Sequence, residues 1–138
     1  MSAEDIARHY YQFFNERRLD EAGALVDPQA VFHYLPTRQR LVGRAGYRAL
    51  AAAWLNAFED ATLDVTSLKA EGPFVHVDFV GRGTHTGDLV LGESLTIPAT
   101  GRSTDLRFHD RLEIRGSLIA GSELDFDVSE MKKRLLGE

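Results

Sequence analysis

The sequence contains no cysteine. Disulfides, thiolate nucleophiles and cysteine metal sites are therefore excluded. It also lacks any apolar run close to the roughly 20 residues that a membrane-spanning helix needs. The first residues, Ser2 to Asp5, are polar and acidic, unlike a secretory signal peptide, and we expect a cytoplasmic protein without a membrane partner.

Acidic residues outnumber basic ones, 21 to 16. The net charge is -5 with a pI near 5.5, so a nucleic-acid backbone is repelled on average. The one basic run, Lys132 to Arg134, suits the last turn of a helix, where the helix dipole favours cations. We expect no nucleic-acid partner.

Motifs for metals and cofactors are missing too. The five histidines include no i, i+4 pair and no His-Glu-x-x-His arrangement. The segment Gly81-Arg82-Gly83 lies within a strand pattern and opens no helix, so it is no nucleotide-binding loop, and no Gly-x-Ser-x-Gly elbow occurs. We expect neither a metal nor a cofactor.

The composition is that of one globular domain spanning residues 1–138, with 43% hydrophobic and 27% charged residues. A capping-box pattern at Ser2 predicts a helix to about Arg18, and Asp20 caps a second helix through Val26. A third helix starts near Gly43. Its apolar stripe has helical spacing and comprises Tyr47, Leu50, Ala51, Trp54, Leu55 and Phe58.

Strand patterns dominate the rest of the chain. They cover 31–35, 62–70, 74–86, 105–114 and 118–127, with a loop over 91–102 and a last short helix, capped by Ser129, to residue 136. Glycines 81 and 83 indicate a bulge or bend in the long strand. The order of elements predicts an α+β domain in which three N-terminal helices pack on a curved, mainly antiparallel sheet.

Period-two alternation assigns the strand side chains to two faces. Asp110 shares its face with Leu106, Phe108, Leu112 and Ile114, which places a carboxylate among apolar neighbours. Stepping by two from Phe79 brings His85 to the buried face, although a bulge would reverse it. On the last strand that face carries Ala120, Ser122, Leu124 and Phe126.

These positions define a candidate site. We predict Asp110 as general acid or base, with its pKa raised by burial or tuned by His85. Tyr34 is a candidate phenol donor for a developing oxyanion. The candidate substrate-binding residues are Phe32, Trp54, Phe79, Phe108, Ser122 and Leu124.

Two alternatives stay open for the polar residues. Asp110 can instead pair with Arg82, Arg107 or Arg111 and only stabilise the sheet. His109 and Glu123 form an alternative polar pair, but alternation points them away from the core, towards a subunit interface or surface ion pairs.

Several short motifs carry a family resemblance. They are Gly83-Thr84-His85-Thr86-Gly87, Pro98 with Thr100-Gly101-Arg102, the strand from Leu106 to Leu112 with Asp110, Gly43-Arg44-Ala45-Gly46-Tyr47, and Asp127. With them the chain resembles the SnoaL-like polyketide cyclases of the NTF2-like (cystatin-like cone) superfamily. The resemblance implies a cone-shaped fold, a small hydrophobic ligand and a homodimer formed through the outer face of the sheet. The chain is also similar to limonene-type epoxide hydrolases, but it lacks their Arg-x-Asp pair at Arg82 and their second Asp at Leu124, so we do not expect epoxide hydrolysis.

Three functions are compatible with these features. The first is a cofactor-independent cyclase, isomerase or lyase acting on a hydrophobic, polyketide-like carbonyl compound. The alternatives are a non-catalytic binding module for a hydrophobic ligand and a dimeric interaction protein of the same fold. A cavity on the order of 300 Å³ or more with converging polar groups favours the first two, whereas a filled cavity or an ion-paired Asp110 favours the alternatives.

Overall fold

The structure is a computed structural model that describes residues 1–137. Its helices are α1 (Ala3–Asn15), α2 (Leu19–Ala24), α3 (Gly43–Ala57) and α4 (Val128–Leu136). Its strands are β1 (Val26–Tyr34), β2 (Gln39–Val42), β3 (Thr62–Glu71), β4 (Phe74–Thr84), β5 (Leu89–Leu91), β6 (Leu95–Ile97), β7 (Ser103–Arg115) and β8 (Leu118–Phe126). The predicted α+β architecture is confirmed.

Six strands form one sheet in the order β2-β1-β8-β7-β4-β3, and β5 and β6 form a separate hairpin. Neighbouring strands of the large sheet are antiparallel except β1 and β8, which are parallel. The long strands β4 and β7 are paired along their length, from Phe74 opposite Glu113 to Thr84 opposite Ser103. This pairing fixes which side chains reach the inner face.

The helices cover one face of the sheet. The buried side of α1 carries Ile6, Tyr10, Tyr11 and Phe14, and the buried side of α3 carries Tyr47, Leu50 and Ala51. Both stripes have the i, i+3, i+4 spacing of an amphipathic helix. Helix α1 packs against β3 and β4, and α3 packs against β1. Val75, Val77 and Phe79 alternate inward on β4 as predicted and are buried. Burial of this apolar surface is the main stabilising contribution to the fold.

Several predicted boundaries are wrong. Helix α1 ends at Asn15 instead of Arg18, because the backbone at Arg17 turns to a left-handed φ of 61°. Helix α2 begins after Arg18 without a side-chain cap from Asp20, and Val26 already belongs to β1. Pro28 lies inside β1, where the register with β8 shifts and a missing N–H is tolerated.

Short elements escaped the sequence patterns. Strand β2 was not predicted, and β6 lies inside the predicted loop 91–102. These strands of three or four residues are too short for alternation to show.

Two predicted details near the end of the chain are also wrong. The cap of α4 is Asp127, whose carboxylate accepts a hydrogen bond from the Glu130 N–H at 3.1 Å, and not Ser129. A register shift opposite Glu113 places Ile119 in the core, so Ala120 is only partly buried and does not share the inner face as predicted.

The segment from Gly83 to Gly87 ties the sheet to the end of α3. The N–H groups of Thr86 and Gly87 donate to the carbonyl of Ala57 at 3.0 and 3.1 Å. A Cβ atom at Gly87 would lie 2.0 Å from the carbonyl oxygen of Asn56, which no side chain tolerates. This glycine is therefore required for close backbone packing.

Candidate active site

A cavity of about 120 Å³ lies between α1, α3 and the inner face of the sheet. Its wall is mostly aromatic and aliphatic, and Met131 and Leu135 of α4 contribute to it. All six predicted substrate-binding residues line it: Phe32, Trp54, Phe79, Phe108, Ser122 and Leu124. Asp110 and Tyr34 line it as well, so eight of the nine predicted site residues surround one space.

Asp110 holds the central polar position of this wall. It lies on β7 opposite Val77 of β4 and Leu124 of β8, and only 4% of its surface is exposed. The Tyr11 hydroxyl donates to its Oδ2 at 2.6 Å, and the Ser122 hydroxyl donates to its Oδ1 at 2.7 Å. Each carboxylate oxygen therefore has one neutral donor and keeps further acceptor capacity.

Burial raises the pKa of Asp110 to about 6, and the hydrogen bonds from Ser122 and Tyr11 oppose part of that rise. Burial also raises the pKa of the Tyr11 phenol well above its usual value, so this hydroxyl stays a donor. A carboxyl group with a pKa near neutrality is suited to exchange protons with a substrate.

No ion pair within residues 1–137 includes Asp110. Of its three candidate partners, Arg82 is paired with Asp105 at 3.1 Å, Arg111 is paired with Glu123, and Arg107 forms no ion pair with Asp110. The hypothesis that Asp110 only closes a salt bridge is therefore wrong. In the ionised form its charge is stabilised chiefly by the hydrogen bonds from the Ser122 and Tyr11 hydroxyls.

Tyr34 offers a second polar group. Its hydroxyl accepts a hydrogen bond from Trp54 Nε1 at 2.6 Å, which leaves its own hydrogen available. Burial raises the pKa of Tyr34, although the bond from Trp54 opposes this effect. The phenol therefore stays protonated as a potential donor.

His85 is fully buried, as predicted, but it does not line the cavity. Its ring stacks on Phe58, which does line the cavity, with centroids 5.1 Å apart. His85 Nδ1 lies 3.0 Å from the Thr100 hydroxyl oxygen and accepts a hydrogen bond from the Thr100 N–H at 3.3 Å. Burial lowers the pKa of His85, which keeps the imidazole neutral. The expected contact of His85 with the Asp110 site is wrong, because the chain leaves the sheet after Thr84.

His109 and Glu123 lie on the outer face and are not paired with each other. His109 Nδ1 is 2.7 Å from Asp78 Oδ1, and Glu123 is bonded to Arg111. The predicted outward direction of both side chains is confirmed by their exposure. Neither residue lines the cavity, so they cannot replace Asp110 there.

Two cavity residues were missed in the sequence. Tyr11 was not singled out, although it follows the buried Ala7 by one helical turn, and Tyr47 was assigned only to the helix stripe. Only the three-dimensional contact of α1 with β7 shows that Tyr11 meets Asp110. The sequence carries no sign of that pairing.

The cavity is smaller than the roughly 300 Å³ expected of a binding or catalytic site. Apolar cavities of about 150 Å³ bind molecules the size of benzene. The observed 120 Å³ therefore accommodates roughly one ring, and a larger ligand requires side chains to move.

Residues 1–137 contain no group of three or more His, Asp or Glu side chains arranged to hold a metal ion. Among the described helices, none is long and apolar enough to cross a membrane.

Solved structures share this fold over nearly its whole length. A Xanthomonas campestris protein provisionally assigned as a polyketide cyclase has a TM-score of 0.80 at 19% identity, covering 95% of this chain and 94% of that one. A Catenulispora acidiphila protein with a ketosteroid isomerase-like fold, in complex with trimethylamine, has a TM-score of 0.78 at 13% identity, covering 97% and 94%. An NTF2-like protein of unknown function from Burkholderia pseudomallei has a TM-score of 0.78 at 18% identity, covering 98% of each chain. The predicted NTF2-like fold is confirmed.

Sequence comparison gives the family. Among curated proteins, none matches the sequence significantly. The profile of the SnoaL-like polyketide cyclases matches residues 4–135, almost the entire chain. The chain therefore belongs to the SnoaL-like polyketide cyclase family.

Proposed function

We propose that this protein binds a small hydrophobic carbonyl compound and catalyses cofactor-independent proton transfer on it, as a cyclase, isomerase or lyase. The observation that carries the proposal is the Asp110 carboxyl group, buried in an apolar cavity and held only by neutral donors. Family membership supports a polyketide-like substrate.

In the proposed reaction the ionised Asp110 removes a proton from the carbon next to the substrate carbonyl. The C–H bond breaks, an O–H bond forms on Asp110, and the electron pair moves to the carbonyl oxygen as an enolate. The free hydrogen of the Tyr34 hydroxyl stabilises this oxygen. Return of the proton to another carbon completes an isomerisation. Attack of the enolate carbon on a second carbonyl instead forms a ring, and the alkoxide left on that carbonyl takes the proton back from Asp110.

Tyr11 and Ser122 act as positioning residues. Their hydroxyls hold the two oxygens of Asp110 and moderate its pKa, so that the carboxylate is present near neutral pH. His85 has no direct step in this proposal because it lies outside the cavity wall.

The test uses a ring-sized carbon acid that matches the cavity. Cyclohexanone is incubated with the protein in D₂O, and exchange of its α-protons is followed by NMR. We expect saturable exchange with the unmodified protein and a loss of about 10²- to 10⁴-fold in Asp110→Asn. Asp125→Asn, a carboxylate on the outer face of β8, is the matched control and retains the rate.

The opposite outcome is equally clear. An Asp110→Asn protein that folds and exchanges at the unmodified rate would remove Asp110 from the mechanism. Saturable binding of cyclohexanone without exchange would instead support the binding-only alternative.

The outer face of the sheet is proposed as the homodimer interface, on family grounds. This face carries charged side chains that are partly shielded, including Arg111 and Glu123. A monomer mass in light scattering at micromolar concentration would contradict the proposal.

A further inference from the structure

Tyr47 has a hydroxyl group without a partner. Its side chain, on α3, is 5% exposed and lines the cavity. The oxygen is fully buried and makes no hydrogen bond to any other residue within 1–137. The ring is held by aromatic neighbours, with centroid distances of 5.3 Å to Tyr10 and 6.2 Å to Phe32.

An unpaired buried hydroxyl is costly. Folding removes its hydrogen bonds to water, and nothing in the protein replaces them. Most buried side-chain polar atoms in proteins have a partner, so an exception needs an explanation. Burial also raises the pKa of Tyr47, which keeps the hydroxyl protonated and able to donate.

Two of the other tyrosines in the cavity wall have hydrogen-bond partners. The Tyr11 hydroxyl bonds to Asp110 and the Tyr34 hydroxyl bonds to Trp54. His85 Nε2 is also unpaired, but His85 lies outside the cavity wall, where a ligand does not reach it directly. Tyr47 combines a buried hydroxyl that neither donates nor accepts a hydrogen bond with a place in the wall.

We infer that the Tyr47 hydroxyl donates a hydrogen bond to an oxygen atom of the bound ligand. Tyr47 is then a specificity-determining residue that selects oxygenated ring compounds over hydrocarbons of the same shape. This inference rests on the proposed function for the location of the ligand. It adds the requirement for an acceptor oxygen within reach of α3.

Two near-isosteric probes test the inference: cyclohexanone, which has an acceptor oxygen, and methylenecyclohexane, which has none. Dissociation constants are measured from NMR titrations of the protein amide signals, with the unmodified protein and Tyr47→Phe. We expect Tyr47→Phe to weaken cyclohexanone binding by about fivefold to tenfold, a typical loss for one hydrogen bond. The affinity for methylenecyclohexane stays within about twofold.

Thermal unfolding without ligand gives a second readout. Tyr47→Phe removes a buried unpaired group, so the Tm is retained or rises by a few degrees. The matched control is Tyr11→Phe, which removes a hydroxyl that has a partner, and its Tm falls. A Tm loss in Tyr47→Phe as large as in Tyr11→Phe would overturn the inference, because the hydroxyl would then have a partner such as an internal water.

The binding outcomes separate this inference from the proposed function. Equal weakening of both probes in Tyr47→Phe, or no weakening of cyclohexanone, overturns the inference even if Asp110→Asn abolishes exchange. Selective loss of cyclohexanone binding supports the inference even if no exchange occurs, in which case the proposed chemistry fails alone. Absence of saturable binding of both probes overturns the inference as well.

Discussion

The two faces of β7 present neighbouring charged residues in opposite surroundings. On the outer face, His109 lies against Asp78 and Arg111 is bonded to Glu123, and all four side chains are well exposed. On the inner face, Asp110 is almost fully buried and is bonded only to the hydroxyls of Tyr11 and Ser122. Along this one strand, the outward-facing residues therefore pair with opposite charges, whereas the inward-facing Asp110 has only neutral hydroxyl partners.

The difference shows that charged residues on the outer face have a structural role, whereas the buried carboxylate on the inner face is suited to chemistry. Exposed ion pairs are screened by water, and each contributes little to stability. A buried carboxylate with neutral donors is costly to ionise, and this cost appears as a pKa of about 6. The inner face therefore keeps a group that stabilises the fold poorly and is suited to proton transfer.

The largest expected effect is a pH dependence of the free energy of unfolding that is caused by Asp110 on the inner face. Because the pKa of Asp110 rises from 3.8 to about 6 on folding, its contribution is fully present below pH 4 and is lost as the pH rises through 6. This difference corresponds to roughly 3 kcal/mol. Asp110→Asn does not titrate, so its free energy of unfolding should gain about that much relative to the unmodified protein between pH 4 and pH 7.

Urea unfolding at both pH values measures this change. The other titrating groups are shared by the two proteins and cancel in the difference. The outer-face variant Asp125→Asn serves as the control and should differ by less than about 0.5 kcal/mol at either pH. A constant difference between Asp110→Asn and the unmodified protein would show that Asp110 has no raised pKa.

A smaller effect is expected when the Ser122 hydroxyl, which donates a hydrogen bond to Asp110, is removed. Ser122→Ala removes the hydrogen bond that stabilises ionised Asp110, so its pKa rises further. The rising limb of the pH profile of cyclohexanone exchange should move upwards by roughly half to one pH unit. The exposed Ser117→Ala in the β7–β8 turn should leave the profile unchanged. A profile that moves downwards in Ser122→Ala would contradict the assigned donor.

The smallest effect is expected on the outer face. Glu123→Gln removes the charge that pairs with Arg111, and both side chains are more than one third exposed. We expect the free energy of unfolding to fall by no more than about 1 kcal/mol, and less at high salt. Chemical denaturation at low and high salt measures this. A loss of about 3 kcal/mol would mean that the outer face also depends on buried charge.

Much of the fold was predictable because its long elements have clear periods. The i, i+3, i+4 stripe from Tyr47 onwards gave α3, and strict alternation from Val75 to Phe79 gave β4 with the correct inner face. Strands of three residues such as β5 carry too little pattern, and the bulge beside Gly121 moved Ala120 off the predicted face. Local irregularities of this kind depend on the neighbouring strand.

Site residues could be predicted where alternation along a single strand decides which way the side chain points. Alternation on β7 placed Asp110 inward, and the same rule placed Ser122 on β8. The position of His85 was not predictable from alternation, because β4 ends at Thr84 and Thr100 holds the imidazole beyond it. The partner Tyr11 could not be deduced, since the contact joins two segments with no local link.

That contact also has a consequence for the order of assembly. Tyr11 and Asp110 are 99 residues apart, and β1 completes its pairing only with β8, near the end of the chain. During synthesis the aromatic faces of α1 and α3 emerge long before the strands that cover them. Such long-range pairing slows folding and leaves apolar surface exposed in the meantime. The cavity and the complete sheet are therefore formed together, and a chain that stops before β8 should be a target for chaperones or proteases.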